Sequence, residues 1–333
     1  MKNCSWMTVF PENIRSLLLK LPPALFSGLE EIRLREGRPL ELNAAGRHYF
    51  LTSAGGITSD PSAAFKPGKQ ESNRLLDLIT NHSLYTMEEE LRKGFITIAG
   101  GHRIGLAGRT VLSGGKVEHL RDISGFNVRI AREVPGIGDG ILPKLLDFKH
   151  RSIHHTLILS PPQQGKTTLI RDLARGISSG AWQHPDAKWP GLKVAIIDER
   201  SEIAGSRRGV PSFDVGPRTD VMDGCPKAEG IMMMIRSMSP DVIIVDEIGR
   251  PEDADALAEA LHAGVKVIAT AHGSDVHELA LRPALSKLAD PPFFEIYAVI
   301  KRNDSGLAFR LWDDKLRGIY DGEAARKGRE KYG

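Results

Sequence analysis

The run Leu157-Ile-Leu-Ser-Pro-Pro-Gln-Gln-Gly165-Lys166-Thr167-Thr168 constrains this chain more than any other. An apolar, β-prone stretch at 156–159 leads into a turn of Pro and Gln. Gly-Lys-Thr-Thr then opens a segment, 169–175, that continues at helical spacing. Strand, tight turn and helix with Gly-Lys-Thr at the junction is the form of a phosphate-binding loop. Backbone N–H groups of the turn and of the helix N-terminus wrap phosphate oxygens, and Gly165 keeps the backbone free to approach. Lys166 supplies a cation to the β- and γ-phosphates of ATP, and the Thr167 hydroxyl is a ligand for Mg2+. Pro162, Gln163, Gln164 and Thr168 complete the predicted cradle. Ser160 stands where the usual pattern has its first glycine.

A second motif lies downstream. Asp241-Val-Ile-Ile-Val-Asp246-Glu247 is a short apolar run ending in paired carboxylates, as expected of a buried parallel strand. At such a strand end Asp246 holds magnesium, with Thr167, and Glu247 is placed to polarise a water for attack on the γ-phosphate. Two further apolar runs, 193–198 and 265–270, also end in polar residues. Four β segments separated by helical or long connections predict an α/β fold, a RecA-like P-loop domain with a mainly parallel sheet. Ligands of such sheets gather at the carboxyl ends of the strands, where Ser160, Asp198, Asp246 and Thr270 all fall. His272, just beyond Thr270, reads as a γ-phosphate sensor. Glu199 and Glu202 either orient the attacking water beside Glu247 or pair with Arg200, Arg207 or Arg208 as an ordinary ion network.

A chain of 333 residues is long for one compact domain. Residues 1–133 alternate like an α+β domain, with a helix over 12–21, a strand at 31–35 and a helix over 71–81. A capping box at 86–89 begins a short helix, and β-like runs flank Gly100-Gly101 and Gly114-Gly115. Arg33 and Arg35 would share a solvated strand face. The Pro/Gly-rich 134–140 is the expected linker and 142–149 a leading helix, so that 134–150 joins the first domain to the nucleotide domain, 151–318. Residues 319–333 read as a basic tail. The segment 205–227 is glycine-punctuated and lacks helical period, which predicts a functional loop, and Met232, Met233, Met234 and Met238 read as the core face of the helix that follows it. Hydrolysis of this kind needs an added guanidinium to neutralise charge at the departing phosphate. Arg103, Arg129 and Arg132 are candidates from the first domain, with Arg218 and Arg236 as rivals.

Composition narrows the partners. Net charge is only +3, and no aromatic–basic strip suited to single strands is evident, which argues against nucleic acid. Cys4 and Cys225 have no metal or disulfide spacing, consistent with a reducing cytoplasm. No apolar run approaches membrane-spanning length, and the start lacks a signal-peptide core, so any membrane association is expected to be peripheral.

Several stretches together resemble the stage III sporulation protein AA family: 100–108, 126–134, 161–168, 198–205, 220–228, 235–249 and 269–273. The resemblance implies an ATPase of the mother-cell cytoplasm, at the membrane facing the forespore, working with other sporulation proteins in a channel. That family is similar in turn to type II and type IV secretion and pilus ATPases, which form hexameric rings. It implies an acidic box at Asp198, Glu199 and Glu202 and a histidine box at His272. Two alternatives remain open at this point, a nucleic-acid-dependent motor of the same fold and a nucleotide switch or scaffold that does not hydrolyse.

Overall fold

The computed structural model describes residues 5–44, 46–80, 91, 92, 94–281, 293–303 and 306–323. The backbone divides into two compact units, residues 1–132 and 133–333.

In the first unit, α1 (Glu12–Leu18) and α2 (Pro23–Gly28) precede four short strands: β1 (Leu29–Arg35), β2 (Glu41–Ala44), β3 (Arg47–Leu51) and β4 (Ile57–Thr58). Helix α3 (Lys69–Thr80) and three further strands follow, β5 (Phe95–Ile98), β6 (His102–Ser113) and β7 (Lys116–Arg129). All seven strands form one sheet, ordered β4-β3-β2-β1-β7-β6-β5, with every neighbour antiparallel. Gly100 and Gly101 both take positive φ, 87° and 68°, which is the geometry a tight β5–β6 hairpin demands. The period of two in β1 sends Ile32 and Leu34 into the core with Ile14, Leu18, Leu75 and Val128. Arg33 and Arg35 face outward, paired with Glu31 and Glu41. The capping box expected at 86–89 lies outside the described residues.

The second unit opens differently from expectation. Residues 134–140 are not a free linker: the backbone N–H groups of Gly136 and Gly138 donate to the Asp172 carboxylate at 3.1 and 2.8 Å. The helix expected over 142–149 is instead a single 3-10 turn, Leu142–Lys144, followed by a small hairpin of β8 (Leu146–Asp147) and β9 (Ser152–Ile153). Pro143 lies inside the turn, and Arg151 takes a left-handed φ of 53° in the connection, so the helix does not propagate.

Next come β10 (Thr156–Ser160), α4 (Lys166–Ser179), β11 (Val194–Asp198), β12 (Thr219–Asp223) and α5 (Lys227–Met238). The unit continues through β13 (Val242–Val245), α6 (Pro251–His262), β14 (Lys266–His272), β15 (Ile296–Asn303), β16 (Gly306–Asp313) and β17 (Gly318–Glu323). The eight strands from β10 onward form one sheet ordered β12-β11-β13-β14-β10-β15-β16-β17. It is parallel from β12 through β15 and antiparallel beyond. Alternate residues serve opposite cores. Ile158, Ile196, Ile244 and Ile268 pack on the α4 side, while Leu157, Leu159, Ile197, Ile243 and Val267 pack with residues of α5 and α6. Burial on both faces explains why these strands read as unbroken apolar runs.

Three further expectations change. Part of the 205–227 segment is the edge strand β12, paired with β11 from Val194↔Thr219 to Asp198↔Asp223. Residues 318–323, where the tail was expected to begin, are strand β17, and 324–333 lie outside the described residues. Of the methionines on α5, Met234 is buried, whereas Met233 and Met238 are exposed.

Candidate functional site

The carboxyl ends of β10, β13 and β14 bring the phosphate loop and the paired carboxylates together. β14 lies between β10 and β13, with Ser160 opposite His272 and Val245 opposite Ala269. Gly165 caps α4 with a left-handed φ of 90°, and a side chain there would meet nothing within 4 Å, which leaves open space above the helix N-terminus. Gln163 also turns with positive φ, and the Gln164 side-chain oxygen accepts from the Arg302 backbone N–H at 2.8 Å. Pro162 and Gln163 are exposed, and Thr168 is half-buried.

Lys166 is buried. Its ammonium donates to the Ser160 carbonyl at 3.0 Å, the Ser160 hydroxyl at 3.1 Å and the Pro161 carbonyl at 3.2 Å. Ser160, in the place of the usual first glycine, thus gives the lysine an extra oxygen. Burial lowers the Lys166 pKa from its ordinary value, opposed by the charges of Asp246 and Glu247. A buried cation held mainly by oxygens of Ser160 and Pro161 is suited to exchange them for phosphate oxygens.

Thr167 Oγ1 donates to Asp246 Oδ2 at 2.7 Å. The other Asp246 oxygen accepts from the Thr270 hydroxyl, whose own oxygen accepts the Glu247 backbone N–H at 2.8 Å. Thr270 is completely buried, and Glu247 has a left-handed φ of 52°. One hydroxyl therefore fixes both members of the carboxylate pair. Thr167 and Asp246 present hard oxygen donors side by side, a set that fits Mg2+.

Glu247 lies between two cations or potential cations. Oε2 accepts from Arg200 Nη1 at 2.7 Å, and Oε1 is 3.2 Å from His272 Nε2. His272 Nδ1 is in turn 3.4 Å from the Lys166 ammonium, so the ring bridges phosphate lysine and carboxylate. The acidic box has separated roles. The Asp198 carboxylate turns back on its own loop and accepts from the backbone N–H groups of Glu202, Ile203 and Ala204 at 2.8, 3.0 and 2.9 Å. Burial raises its pKa to about 6 against the pull of those hydrogen bonds. Glu199 pairs with Lys227, which is itself buried. Glu199, Arg200 and Glu202 line a cleft together with Lys227, Asp246 and Glu247.

Arg103, Arg129 and Arg132 belong to the first unit. Arg103 lies over the Phe95 ring at 3.7 Å, Arg129 pairs in register with Glu31 and with Arg103, and Arg132 donates to the Leu29 carbonyl. Arg218 donates to the Gly191 carbonyl at 2.8 Å, a loop-holding contact, and Arg236 is exposed on α5. Sequence reasoning marked Thr270 only as a strand end, and Arg200 and Lys227 as partners in an ion network or motif.

The family described as "Sporulation stage III, protein AA" matches residues 2–327. The chain belongs to the stage III sporulation protein AA family. It is 48% identical over 306 residues to stage III sporulation protein AA of Bacillus subtilis strain 168, covering 92% of this chain and 93% of that one. A more distant relative, the uncharacterized protein ycf45 of Cyanidium caldarium, is 32% identical over 169 residues, 50% of this chain and 46% of the relative. Among solved structures, the pilus retraction motor PilT with bound ADP has a TM-score of 0.57 at 18% identity, covering 87% of this chain and 80% of that chain. The ATPase DotB of Legionella pneumophila has a TM-score of 0.51 at 16% identity, covering 86% and 77%. The family member thus shares its fold with the pilus retraction motor PilT and the ATPase DotB. Among the described residues no helix is long and apolar enough to cross a membrane.

Proposed function

We propose that this family member is an ATPase of the RecA-like class that works as a ring, energising or assembling a channel between mother cell and forespore. The observation that carries the reading is the meeting of Lys166, Thr167, Asp246, Glu247 and His272 at one sheet edge, the carboxylates and the phosphate loop being joined through Thr167. Placement of β14 between the phosphate-loop strand and the carboxylate strand supports the RecA-like assignment.

In this reading the loop around Gly165 and the N-terminus of α4 bind the ATP phosphates, and Lys166 transfers its hydrogen bonds from Ser160 and Pro161 to phosphate oxygens. Thr167 and Asp246 would hold magnesium, which supplies charge neutralisation on those oxygens. Glu247 takes a proton from water as the water oxygen bonds to the γ-phosphorus and the bond from that phosphorus to the bridging oxygen breaks. ADP and inorganic phosphate are the products. His272 touches both the lysine and the base, and so reports γ-phosphate occupancy to Glu247. Glu247 is the stronger candidate for the base because it directly follows Asp246 and contacts His272, whereas Glu199 is turned to the buried Lys227. Arg103, Arg129 and Arg132 remain proposed suppliers of the extra guanidinium, from the first unit of the same or a neighbouring chain.

The family name supports a place in sporulation, and with it the mother-cell cytoplasm, peripheral attachment to the membrane facing the forespore, and partners among the channel proteins. The ring is tested by measuring phosphate release per subunit against protein concentration. A rate that rises with concentration to a plateau supports a site completed by a neighbour, and a constant rate removes the ring from the proposal.

A further inference from the structure

A second constellation occupies the other end of the parallel sheet. The β8–β9 hairpin, with Leu146 opposite Ile153 and Asp147 opposite Ser152, folds the chain so that Asp147, His150 and His154 lie near one another. Glu295, on the residue before β15, joins them: His154 Nδ1 is 3.1 Å from Glu295 Oε1. One ligand atom from each of Asp147, His154 and Glu295 lies within 4.8 Å of the other two. His150 Nδ1 is 2.6 Å from Asp147 Oδ2. The cluster borders Thr156 and Ile296, which begin β10 and β15. The phosphate loop follows Ser160, at the opposite end of the same strand, so the cluster is separate from the nucleotide site.

We propose that Asp147, His154 and Glu295, with His150 as fourth ligand, form a binding site for a zinc-class divalent ion.

The donor set selects the ion. Two imidazole nitrogens and two carboxylate oxygens suit Zn2+ in tetrahedral coordination, whereas Mg2+ and Ca2+ favour all-oxygen sites. Each carboxylate is also oriented from outside the cluster. Asp147 Oδ1 accepts the His150 backbone N–H at 3.1 Å, and Glu295 Oε2 accepts the His155 backbone N–H at 2.8 Å and the Lys266 ammonium at 2.9 Å. In both residues one oxygen is tied down and the other is turned to an imidazole, the arrangement in which outer contacts aim a ligand at a metal. Tetrahedral ligands about 2.0–2.2 Å from zinc lie roughly 3.3–3.6 Å apart. The ligand atoms of Asp147, His154 and Glu295, within 4.8 Å of one another, therefore close on an ion with shifts of roughly 1–1.5 Å, and the exposed His150 ring turns in from Asp147 to complete the set.

Charge agrees: two carboxylates against the one ammonium of Lys266 leave a net negative cluster. A bound ion would fasten the β8–β9 hairpin to the chain entering β15, far along the sequence.

The full chain, loaded with zinc and dialysed without nucleotide, is assayed for zinc per chain by mass spectrometry. Cobalt, with its visible absorption bands, serves as the geometric probe. The wild type and a His119→Ala control, altered in the first unit, should retain about one zinc per chain in excess Mg2+. His154→Ala should lose it. His150→Ala changes a ring on an exposed turn, so the fold is kept, and it should weaken binding at least about tenfold. Tetrahedral cobalt bands should vanish in the same variants. Absence of retained zinc in the wild type, or retention unchanged in both His150→Ala and His154→Ala, overturns the proposal.

Discussion

Replacing Thr270 by valine keeps the shape of the side chain and removes one hydroxyl. In the structure that hydroxyl donates to an Asp246 oxygen and accepts the Glu247 backbone N–H, at a position with no solvent exposure. Valine leaves both groups without their partner where water cannot easily substitute. A hydrogen bond to a charged group is worth about 1.5–3 kcal/mol and a neutral one about 0.5–1.5, so the expected loss is about 2–4 kcal/mol. For a unit of about 200 residues this lowers the thermal midpoint by about 5–15 °C. The same bond to the Glu247 N–H helps to hold a left-handed backbone that costs roughly 1–3 kcal/mol when nothing constrains it. Valine therefore also frees the proposed base to move, and turnover should fall by about 100-fold. Thermal unfolding and phosphate release are measured on Thr270→Val and Thr270→Ser, the serine variant restoring the hydroxyl. Recovery of stability and rate by serine but not valine fits the reasoning. A valine variant as stable and active as the wild type refutes it.

Glu247→Gln should bind ATP with little change but lose hydrolysis by at least about 100-fold, since an amide cannot accept the proton; normal turnover would move the base to Glu199 or Glu202. Asp198 makes a prediction about pH. Its folded pKa of about 6 lies above the ordinary 3.8, so between those values the folded state holds a proton that the unfolded state has lost. Its stabilising contribution is complete below about pH 4 and is lost as pH rises through 6, a decline of roughly 3 kcal/mol. Urea midpoints from pH 4 to 7 should show this decline in the wild type but not in Asp198→Asn, and parallel profiles would reject the assignment.

How legible the molecule is from its sequence depends on what each residue packs against. Buried parallel strands must be apolar on both faces, so 156–160, 194–198, 242–245 and 266–270 announce themselves, each ending in or just before a polar residue at the same sheet edge. The edge strand β12 does not. Thr219, Asp220 and Asp223 are only partly buried, and pairing with β11 rather than any apolar pattern makes Thr219–Asp223 a strand. The hairpin after residue 144 was hidden by Leu142, Leu145 and Leu146, whose spacing imitates a helix while all three serve one core. Lys166, Thr167, Asp246 and Glu247 were readable because their chemistry fixes residue types at fixed offsets. The contacts of Thr270, Arg200 and Lys227 depend on which strands are neighbours, and a linear pattern does not carry that information. For the same reason the Asp147–His154–Glu295 cluster left no motif in the sequence.

The central claim is that this site binds ATP through its phosphate loop and hydrolyses it. The direct measurement is phosphate release from ATP by the wild type and by Lys166→Ala under identical conditions, with nucleotide binding followed in parallel. The account predicts release by the wild type, and loss of release with weakened binding in the variant. Equal release by both proteins, or nucleotide binding untouched by the substitution, would contradict it.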